Sequence, residues 1–551
     1  MKRLILLSAT TLCLAAIQTS AQPAFTTTDS IDINNINAAV LVHGDMWYDP
    51  TLYQSHCSFP NGSGKNIGFM GALWMSGYDG GSNLHVTAQT YRQNGNDYWP
   101  GPLDGADTLT YATSHDWAKI WKVKRTDIQV FQLLSALGTA NPTNTAAAIW
   151  EWPGKGSASA KGNGGVALTV SDDMAPFVDL NSNGIYEPSL GDYPDVKGDE
   201  VLWWVYSDNG PAHSETNGRS LGVEIHAMAY AYRRFTSIDN AVYYQYNIKN
   251  KSANNYSSFR VGQLADMDLG YYLDDFIGCD TLRGMGITYN GNATDAVYGA
   301  NMPIAGVIMR TISGGAGVGS FMYYNNDTSV FGNPSSPAQY DNYLRSKFRD
   351  GSHATDDYTG PAVATNAHGA GPATNYVFSG NPGISSQWSE CSSGNTPGDR
   401  RFILATGDMT LNAGSSVEVV SILVSSDPGP NNACGSGVDF THIQGVADTA
   451  IAVLDAGGLT PVPLAVASVS SNSVVSIYPN PASDKLYIDH SGNIATGGAI
   501  VIYDMTGQRV QVPIDRRGTV FEVDISKLVS GLYSVVYSSG ATLSTARFVK
   551  E

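Results

Sequence analysis

The chain has 551 residues, of which 15% are charged, 59 are glycine and 30 are tyrosine, and its formal charge at pH 7 is −18. That length exceeds the ~250–300 residues at which a single core stops growing, so more than one domain is expected. The acidic surface argues against nucleic acid or anionic membrane as a partner, both of which would repel it on encounter, but suits bound divalent cations.

The chain opens with Met1-Lys2-Arg3, an apolar run from Leu4 to Ile17, and Thr19-Ser20-Ala21 ahead of Gln22. A basic start, a short apolar core and a small-residue cleavage site have the form of an export leader, residues 1–21, removed after Ala21. Cys13 lies inside the run with no lipoprotein box before it. No later stretch reaches the ~20 consecutive apolar residues that span a bilayer.

Beyond the leader, apolar and polar residues alternate with period two between clusters of Gly, Asn, Asp and Pro. The pattern predicts an all-β passenger over 22–457, a multi-sheet β-sandwich of one domain or two sub-domains, with few short helices. Asn61-Gly62-Ser63-Gly64-Lys65 echoes a phosphate loop but lacks the leading glycine and has Asn66 where Ser or Thr is needed. Ten aromatic residues (Trp74, Tyr91, Tyr98, Trp99, Trp117, Trp121, Trp150, Trp152, Trp203 and Trp204) include candidates for stacking on sugar rings, with core packing as the default. Trp203 and Trp204 must face opposite sides of a strand. Thr126-Asp127-Ile128-Gln129 reads as a capping box opening a helix through IQVFQLLSAL, with Gly138 as its stop.

The segment Phe177 to Asp195, FVDLNSNGIYEPSLGDYPD, carries the clearest chemical pattern. Asp179, Asn181 and Asn183 take positions one, three and five of a calcium loop, Gly184 allows the turn at six, the Ile185 carbonyl falls at seven and Glu187 at nine. Leu190 occupies position twelve, so the bidentate acid is missing and Asp192 or Asp195 would close the shell. The alternative is an Asx-rich turn whose side chains satisfy their own backbone.

His213-Ser214-Glu215 and Glu224-Ile225-His226 each have i,i+2 spacing, which on strands places each pair on one face and suits zinc or acid–base chemistry if the pairs converge. Glu224 and His226 sit in GVEIHAMAYAYRRF, which with a turn at 236–240 and AVYYQYNIKN predicts an antiparallel hairpin with one face on a core. Next comes ADMDLGYYLDDFIGCD, where Asp266, Asp268, Asp274 and Asp275 form a second acidic cluster, open to a cation, to paired carboxylates for glycoside hydrolysis, or to solvated loop acids. Gly314-Gly315-Ala316-Gly317-Val318-Gly319 lacks dinucleotide-loop spacing and leads into strand-like FMYY. RRFILATG and SVEVVSILVSS, joined through Asn412-Ala413-Gly414, predict a second strand pair, and HIQGVADTAIAVLDAGG a helix ended by Gly457-Gly458.

A Pro/Ser/Val stretch, residues 458–474, reads as an interdomain linker, and 475–551 as a compact β unit with strands at KLYID, AIVIYD, VFEVDI, LYSVVYS and ARFVK. Past the leader, Cys57, Cys279, Cys391 and Cys434 allow up to two disulfides in three connectivities, or isolated buried thiols.

The C-terminal unit carries Tyr478-Pro479-Asn480-Pro481, then Ile502-Tyr503-Asp504 with Gly507, then Gly531-Leu532-Tyr533, and a final Ala546-Arg547-Phe548-Val549-Lys550. In these residues it resembles the type A C-terminal sorting domain of type IX secretion cargo in Bacteroidota. The resemblance implies a small Ig-like β-sandwich, recognition by the type IX translocon and its sorting protease, and attachment of the passenger to surface lipopolysaccharide or its release. Passenger strings such as GDYPDVKGDEVLWWVYSDNG and NTPGDRRFILATGDMTLNAG resemble a group of large Bacteroidota surface proteins, a likeness that carries no activity. Together these readings predict an exported surface or extracellular protein whose passenger is a non-enzymatic binding or structural module, calcium-stabilised and in contact with glycan or matrix. The alternative is a secreted polysaccharide hydrolase or lyase.

Overall fold

The computed structural model describes residues 25–92, 95–434, 437–460, 475–490, 499–504, 509–518, 520–539 and 542–551. The export leader, residues 461–474 of the linker and Gly507 lie outside them. The chain divides into two compact units, Met1–Pro461 and Val462–Glu551. The architecture is mostly strand, as the period-two pattern predicts.

Two large antiparallel sheets form the body of the first unit, beside a three-stranded sheet and two strand pairs. The larger has nine strands, ordered Asp275–Asp280, Met285–Asn290, Ala305–Ser313, Ser416–Ser425, Ala241–Asn250, Val223–Ala231, Glu200–Ser207 and Trp99–Pro100, with Trp121–Lys124 also pairing Glu200–Ser207. The smaller has six, ordered Val318–Asn325, Arg400–Thr406, Tyr256–Asp266, Met70–Tyr78 and Leu84–Thr87, with Met409–Leu411 also pairing Tyr256–Asp266. Ile225, Tyr244 and Val307 of the larger sheet share one core with Val261, Phe321 and Phe402 of the smaller. The sheets are also tied by a buried hydrogen bond of 2.9 Å from the Ser421 hydroxyl to Gln263 Oε1.

The predicted hairpin is present, Val223–Ala231 against Ala241–Asn250, with residues 237–240 forming a short 3-10 turn between them. Its second face is not solvated, contrary to the one-faced expectation. Met228, Tyr230 and Tyr243 on that face join a second core with Ile443, Val446, Ala447 and Ala450 of the helix Thr441–Asp455, and with Ile128 and Phe131 of the helix Arg125–Ala136. A sheet covered on both sides needs apolar residues at both parities, and GVEIHAMAYAY supplies them. Trp203 enters the second core and Trp204 the first, as strand parity requires.

Two local expectations shift. The helix over 125–136 starts earlier than the capping-box reading: Lys124 is the N-cap, and its backbone N–H donates to Asp127 Oδ2 at 3.1 Å. Thr126 is inside the helix. The strands Arg400–Thr406 and Ser416–Ser425 do not pair with each other; each is built into a different sheet. In the region between them Met409–Leu411 pairs with Tyr256–Asp266, so the chain crosses from one sheet to the other instead of turning back.

A single disulfide is found among the described residues, Cys391–Cys434. Cys57 and Cys279 are buried thiols, so the two-disulfide possibility does not hold. Among the described residues no helix is long and apolar enough to cross a membrane.

The second unit stacks two four-stranded antiparallel sheets, Val475–Tyr478, Lys485–His490, Val520–Asp524, Ile514–Arg517 and Arg509–Val510, Ala499–Tyr503, Gly531–Ser539, Thr542–Lys550. Leu486, Ile488, Phe521, Val523, Tyr533, Val535 and Phe548 form the core between them.

Candidate functional site

A charged, largely buried corner lies at one end of the six-stranded sheet. Asp266 ends its strand directly opposite Arg401 of the neighbouring strand. Gly262 and Asp266 lie on one face of that strand by the two-residue repeat. That face is covered by the helix Pro337–Leu344, which approaches so closely that a Cβ on Gly262 would stand 2.3 Å from Leu344 Cδ2.

Arg401 is shared. Its Nη2 is 3.2 Å from Asp266 Oδ2, its Nη1 donates to Asp399 Oδ1 at 2.5 Å, and its Nε donates to the Tyr91 hydroxyl at 2.8 Å. Tyr91 in turn donates to Asp266. Asp268 completes the group: Asp266, Asp268 and Asp399 each place an oxygen within 4.8 Å of the others. Burial pushes the Asp266 carboxyl up to about 6 against the opposing pull of Arg401 and Tyr91. Asp268 is held well above the usual carboxylate range by burial first and by the charges of Asp266 and Asp399 next.

The four acids grouped from the sequence therefore divide. Asp266 and Asp268 come together with Asp399, which sequence reasoning missed. Asp274 instead accepts from Asn290 Nδ2 at 2.9 Å, and Asp275 Oδ2 accepts from the Leu269 N–H at 3.0 Å. Asp399 is far away in sequence, and only the pairing of Arg400–Thr406 with Tyr256–Asp266 brings it near.

A cleft of about 490 Å³ opens beside this corner, walled by Thr90, Tyr91, Asn326, Tyr340 and Arg349 among others. Tyr91 and Asn326 connect it to the acids, Asn326 through a 3.3 Å bond to Asp399. Behind Thr90 and Tyr340 lies Glu215, which accepts from both hydroxyls, the Tyr340 bond being 3.0 Å. Burial pushes Glu215 up to about 7 despite those two bonds.

The His/Glu pairs do not converge. Glu224 and His226 share a strand face and bond to each other at 2.8 Å, with Glu224 also accepting from the Leu103 N–H at 2.9 Å. That pair lies beside Trp203, on the helix-covered side of the nine-stranded sheet. His213 and Glu215 sit in a loop, not on a strand, with His213 Nδ1 3.4 Å from Asp97.

In the Phe177–Asp195 loop, Asp179 accepts from the N–H groups of Ser182 and Gly184, both at 2.7 Å. Asn183 Oδ1 accepts from the Ile185 N–H at 2.8 Å, and Asn181 and Asn183 donate to Glu187. Buried Asp192 accepts from the N–H groups of Leu180 and Glu187, both at 2.9 Å. All of the proposed oxygen donors thus line one loop, folded on itself by Asx turns.

Most of the aromatic residues read from the sequence are core. Trp74, Trp121, Trp152, Trp203 and Trp204 are fully buried, and Trp99 and Trp117 nearly so. Exposed rings lie elsewhere: Phe235 and Tyr53 stand singly, and Tyr271 and Tyr272, 40% and 43% exposed, form an adjacent pair with centroids 5.5 Å apart. Their loop is pinned by Asp295, whose Oδ2 accepts from the Tyr271 N–H at 2.8 Å. Position in a Gly-Tyr-Tyr turn next to acids was the available signal.

In the second unit Asn480 of Tyr-Pro-Asn-Pro is the anchor. Its amide donates to the Arg547 carbonyl at 3.0 Å and its Oδ1 accepts from the Val549 N–H at 2.9 Å, fastening the first strand's end to the last strand. Tyr478 stacks on Tyr487 and Tyr533 on Phe548, while Leu532 is half-buried and Gly531 exposed.

A family model described as Secretion system C-terminal sorting domain matches residues 476–551. The C-terminal unit is a type IX sorting domain, handled by that secretion machinery, and the chain is exported to the cell surface or extracellular space. No curated protein matches the chain. Among solved structures it is similar to a polysaccharide lyase at 8% identity and a TM-score of 0.16, over 59% of this chain and 34% of that one. It is similar also to a family GH92 inverting mannosidase from Bacteroides thetaiotaomicron at 10% identity and a TM-score of 0.17, over 52% of this chain and 24% of that one. The chain thus spans about a third and a quarter of those proteins' lengths, and likenesses at this level carry no argument.

Proposed function

We propose that the passenger, residues 22–457, is a non-enzymatic, adhesin-type binding module that meets glycan or matrix outside the cell through the loop bearing Tyr271 and Tyr272. The supporting observation is that these two neighbouring rings are exposed on a braced loop while the tryptophans are spent on the cores. Amphipathic rings held rigidly give large contact area at small entropic cost, which suits sugar faces. A glycan-array screen of the passenger, with calcium and with chelator, tests this. Selective binding that disappears in Tyr271→Ala/Tyr272→Ala supports the reading; binding unchanged by the double substitution removes the loop from it.

The same proposal includes calcium in the Phe177–Asp195 loop, held by Asp179, Asn181, Asn183, the Ile185 carbonyl, Glu187 and Asp192, where it would rigidify the turn. Chelation should lower the melting temperature of the wild type by more than that of Asp179→Ala, which lacks this loop's donor. An equal fall in both sinks it.

A second reading, a polysaccharide hydrolase or lyase, is favoured by Glu215, which sits near neutrality behind the 490 Å³ cleft. Depolymerisation of a polysaccharide by wild type and not by Glu215→Gln would select it over the binding module.

A further inference from the structure

We propose that Asp266, Asp268 and Asp399 form a site for one calcium ion at the end of the six-stranded sheet, beside the cleft and separate from the Phe177–Asp195 loop. Three features of the corner converge on this.

Charge is the first. Three carboxylates share one guanidinium, that of Arg401, which bonds Asp266 and Asp399. With all three ionised, two negative charges remain in a largely buried place, and burying unbalanced charge is costly. A divalent cation removes that imbalance.

Unused lone pairs are the second. Asp266 is wholly buried, and although its Oδ2 takes bonds from Tyr91 and Arg401, its Oδ1 is enclosed without a hydrogen-bond partner among the described residues. Native interiors rarely leave a carboxylate oxygen in that condition, and a bound ion is one of the few ordinary explanations. Asp275, also buried and next along the chain from the Tyr271–Leu273 turn, likewise has an Oδ1 without a partner among the described residues, and it senses the charge of Asp268.

Size and donor type are the third. All three donors are carboxylate oxygens, with no sulfur or imidazole in the group, which selects a hard cation. An ion bound at 2.3–2.6 Å spans oxygen pairs up to roughly 4.6–5.2 Å apart, whereas one bound at 2.0–2.1 Å spans only about 4.2 Å. Three oxygens within 4.8 Å of one another lie at most roughly 2.8 Å from a common centre, so small inward shifts suffice for calcium at 2.3–2.6 Å, while magnesium at 2.0–2.1 Å needs larger ones.

The competing account is that Asp268 keeps a proton and no ion binds. Calorimetric titration of the metal-stripped full chain with calcium chloride at pH 7.5, repeated with magnesium chloride, separates the two. The variants are Asp179→Ala, which removes the loop donor, and Asp179→Ala combined with Asp268→Asn or with Asp399→Asn. We expect Asp179→Ala to bind one calcium, the added Asp268→Asn to abolish that binding, and the added Asp399→Asn to weaken it at least tenfold, with magnesium weaker than calcium throughout. Should Asp268→Asn lose the wild-type circular dichroism spectrum, the Asp399 variant, whose carboxylate is partly exposed, decides alone. Asp179→Ala that binds no calcium, or calcium binding that both added substitutions leave unchanged, overturns the proposal.

Discussion

Asp266 and Arg401 stand directly opposite each other on adjacent strands, with Arg401 Nη2 3.2 Å from Asp266 Oδ2 and both side chains almost without solvent. Among the described residues, Arg401 is the one cation that bonds into the carboxylate group at that end of the sheet. Arg401→Met keeps much of the volume and removes the charge, so it strands buried carboxylates. Breaking a buried pair on one side costs about 3–5 kcal/mol, and we expect a loss of that order in urea unfolding at pH 7. At pH 4.5, where the raised Asp266 and Asp268 hold their protons, the loss should shrink; an equal loss at both pH values contradicts the electrostatic account.

Glu215 gives a second pH signature. Its folded-state value of about 7 lies above the usual 4.5, so the folded chain holds a proton that the unfolded chain releases. Below about pH 4.5 both states hold the proton, so the contribution is fully present and does not vary with pH. Between 4.5 and 7 the unfolded state binds fewer protons, and stability falls as pH rises, by up to ~3 kcal/mol. Glu215→Gln keeps an Oε1 acceptor for Thr90 and Tyr340 but does not ionise. Its stability relative to wild type should therefore climb across that window and flatten above pH 7, as read from denaturant midpoints.

How much of this was legible beforehand depended on how local the cause is. The helix Thr441–Asp455 is read in full, because Ile443, Val446, Ala447, Ala450, Val453 and Leu454 repeat at helical spacing and Gly457 stops them. Strand existence was equally plain. Strand partnership was not: Arg400–Thr406 and Ser416–Ser425 look like a hairpin, yet Met409–Leu411 diverts the chain between sheets. The hairpin's second buried face was hidden for a related reason, since the covering helices lie far off in sequence. The acidic corner failed in the same way: Asp266 and Asp268 are neighbours in sequence, but Asp399 arrives only through tertiary pairing. For the tryptophans core packing was the default reading, and the cores are where most of them lie.

The Cys391–Cys434 bond closes a loop of 43 residues between the short helix Glu390–Ser393 and the segment leading to Thr441–Asp455. In the chain-entropy account a loop of that length stabilises by about 4 kcal/mol. Cys391→Ser/Cys434→Ser should lose 2–4 kcal/mol in guanidinium unfolding. Cys57 and Cys279 are 1% and 6% exposed, and burial raises both thiols. They should resist a thiol reagent in the native protein and react only on unfolding, which titration with and without denaturant reads directly.

The sorting unit should depend on Asn480 more than on the prolines that make its motif conspicuous. Prolines cannot donate, whereas the Asn480 side chain both donates to Arg547 and accepts from Val549, and Ala482 adds backbone bonds to Val549 and Glu551. Without that side chain the last strand keeps its ladder to Gly531–Ser539 and the Ala482 backbone bonds but loses two of its bonds to the start of the unit. Asn480→Ala should cost about 0.5–1.5 kcal/mol, the net worth of an ordinary hydrogen bond, because the freed backbone groups are exposed and turn to water. Because sorting requires a folded C-terminal unit, the variant should reach the surface more slowly, and deletion of residues 475–551 should leave the passenger in the periplasm. Cell fractionation with surface proteolysis measures both. Full surface delivery of the deleted chain would mean that the passenger carries a second address of its own, and normal kinetics for Asn480→Ala would place recognition in the strand ladder and not in the Tyr-Pro-Asn-Pro tie.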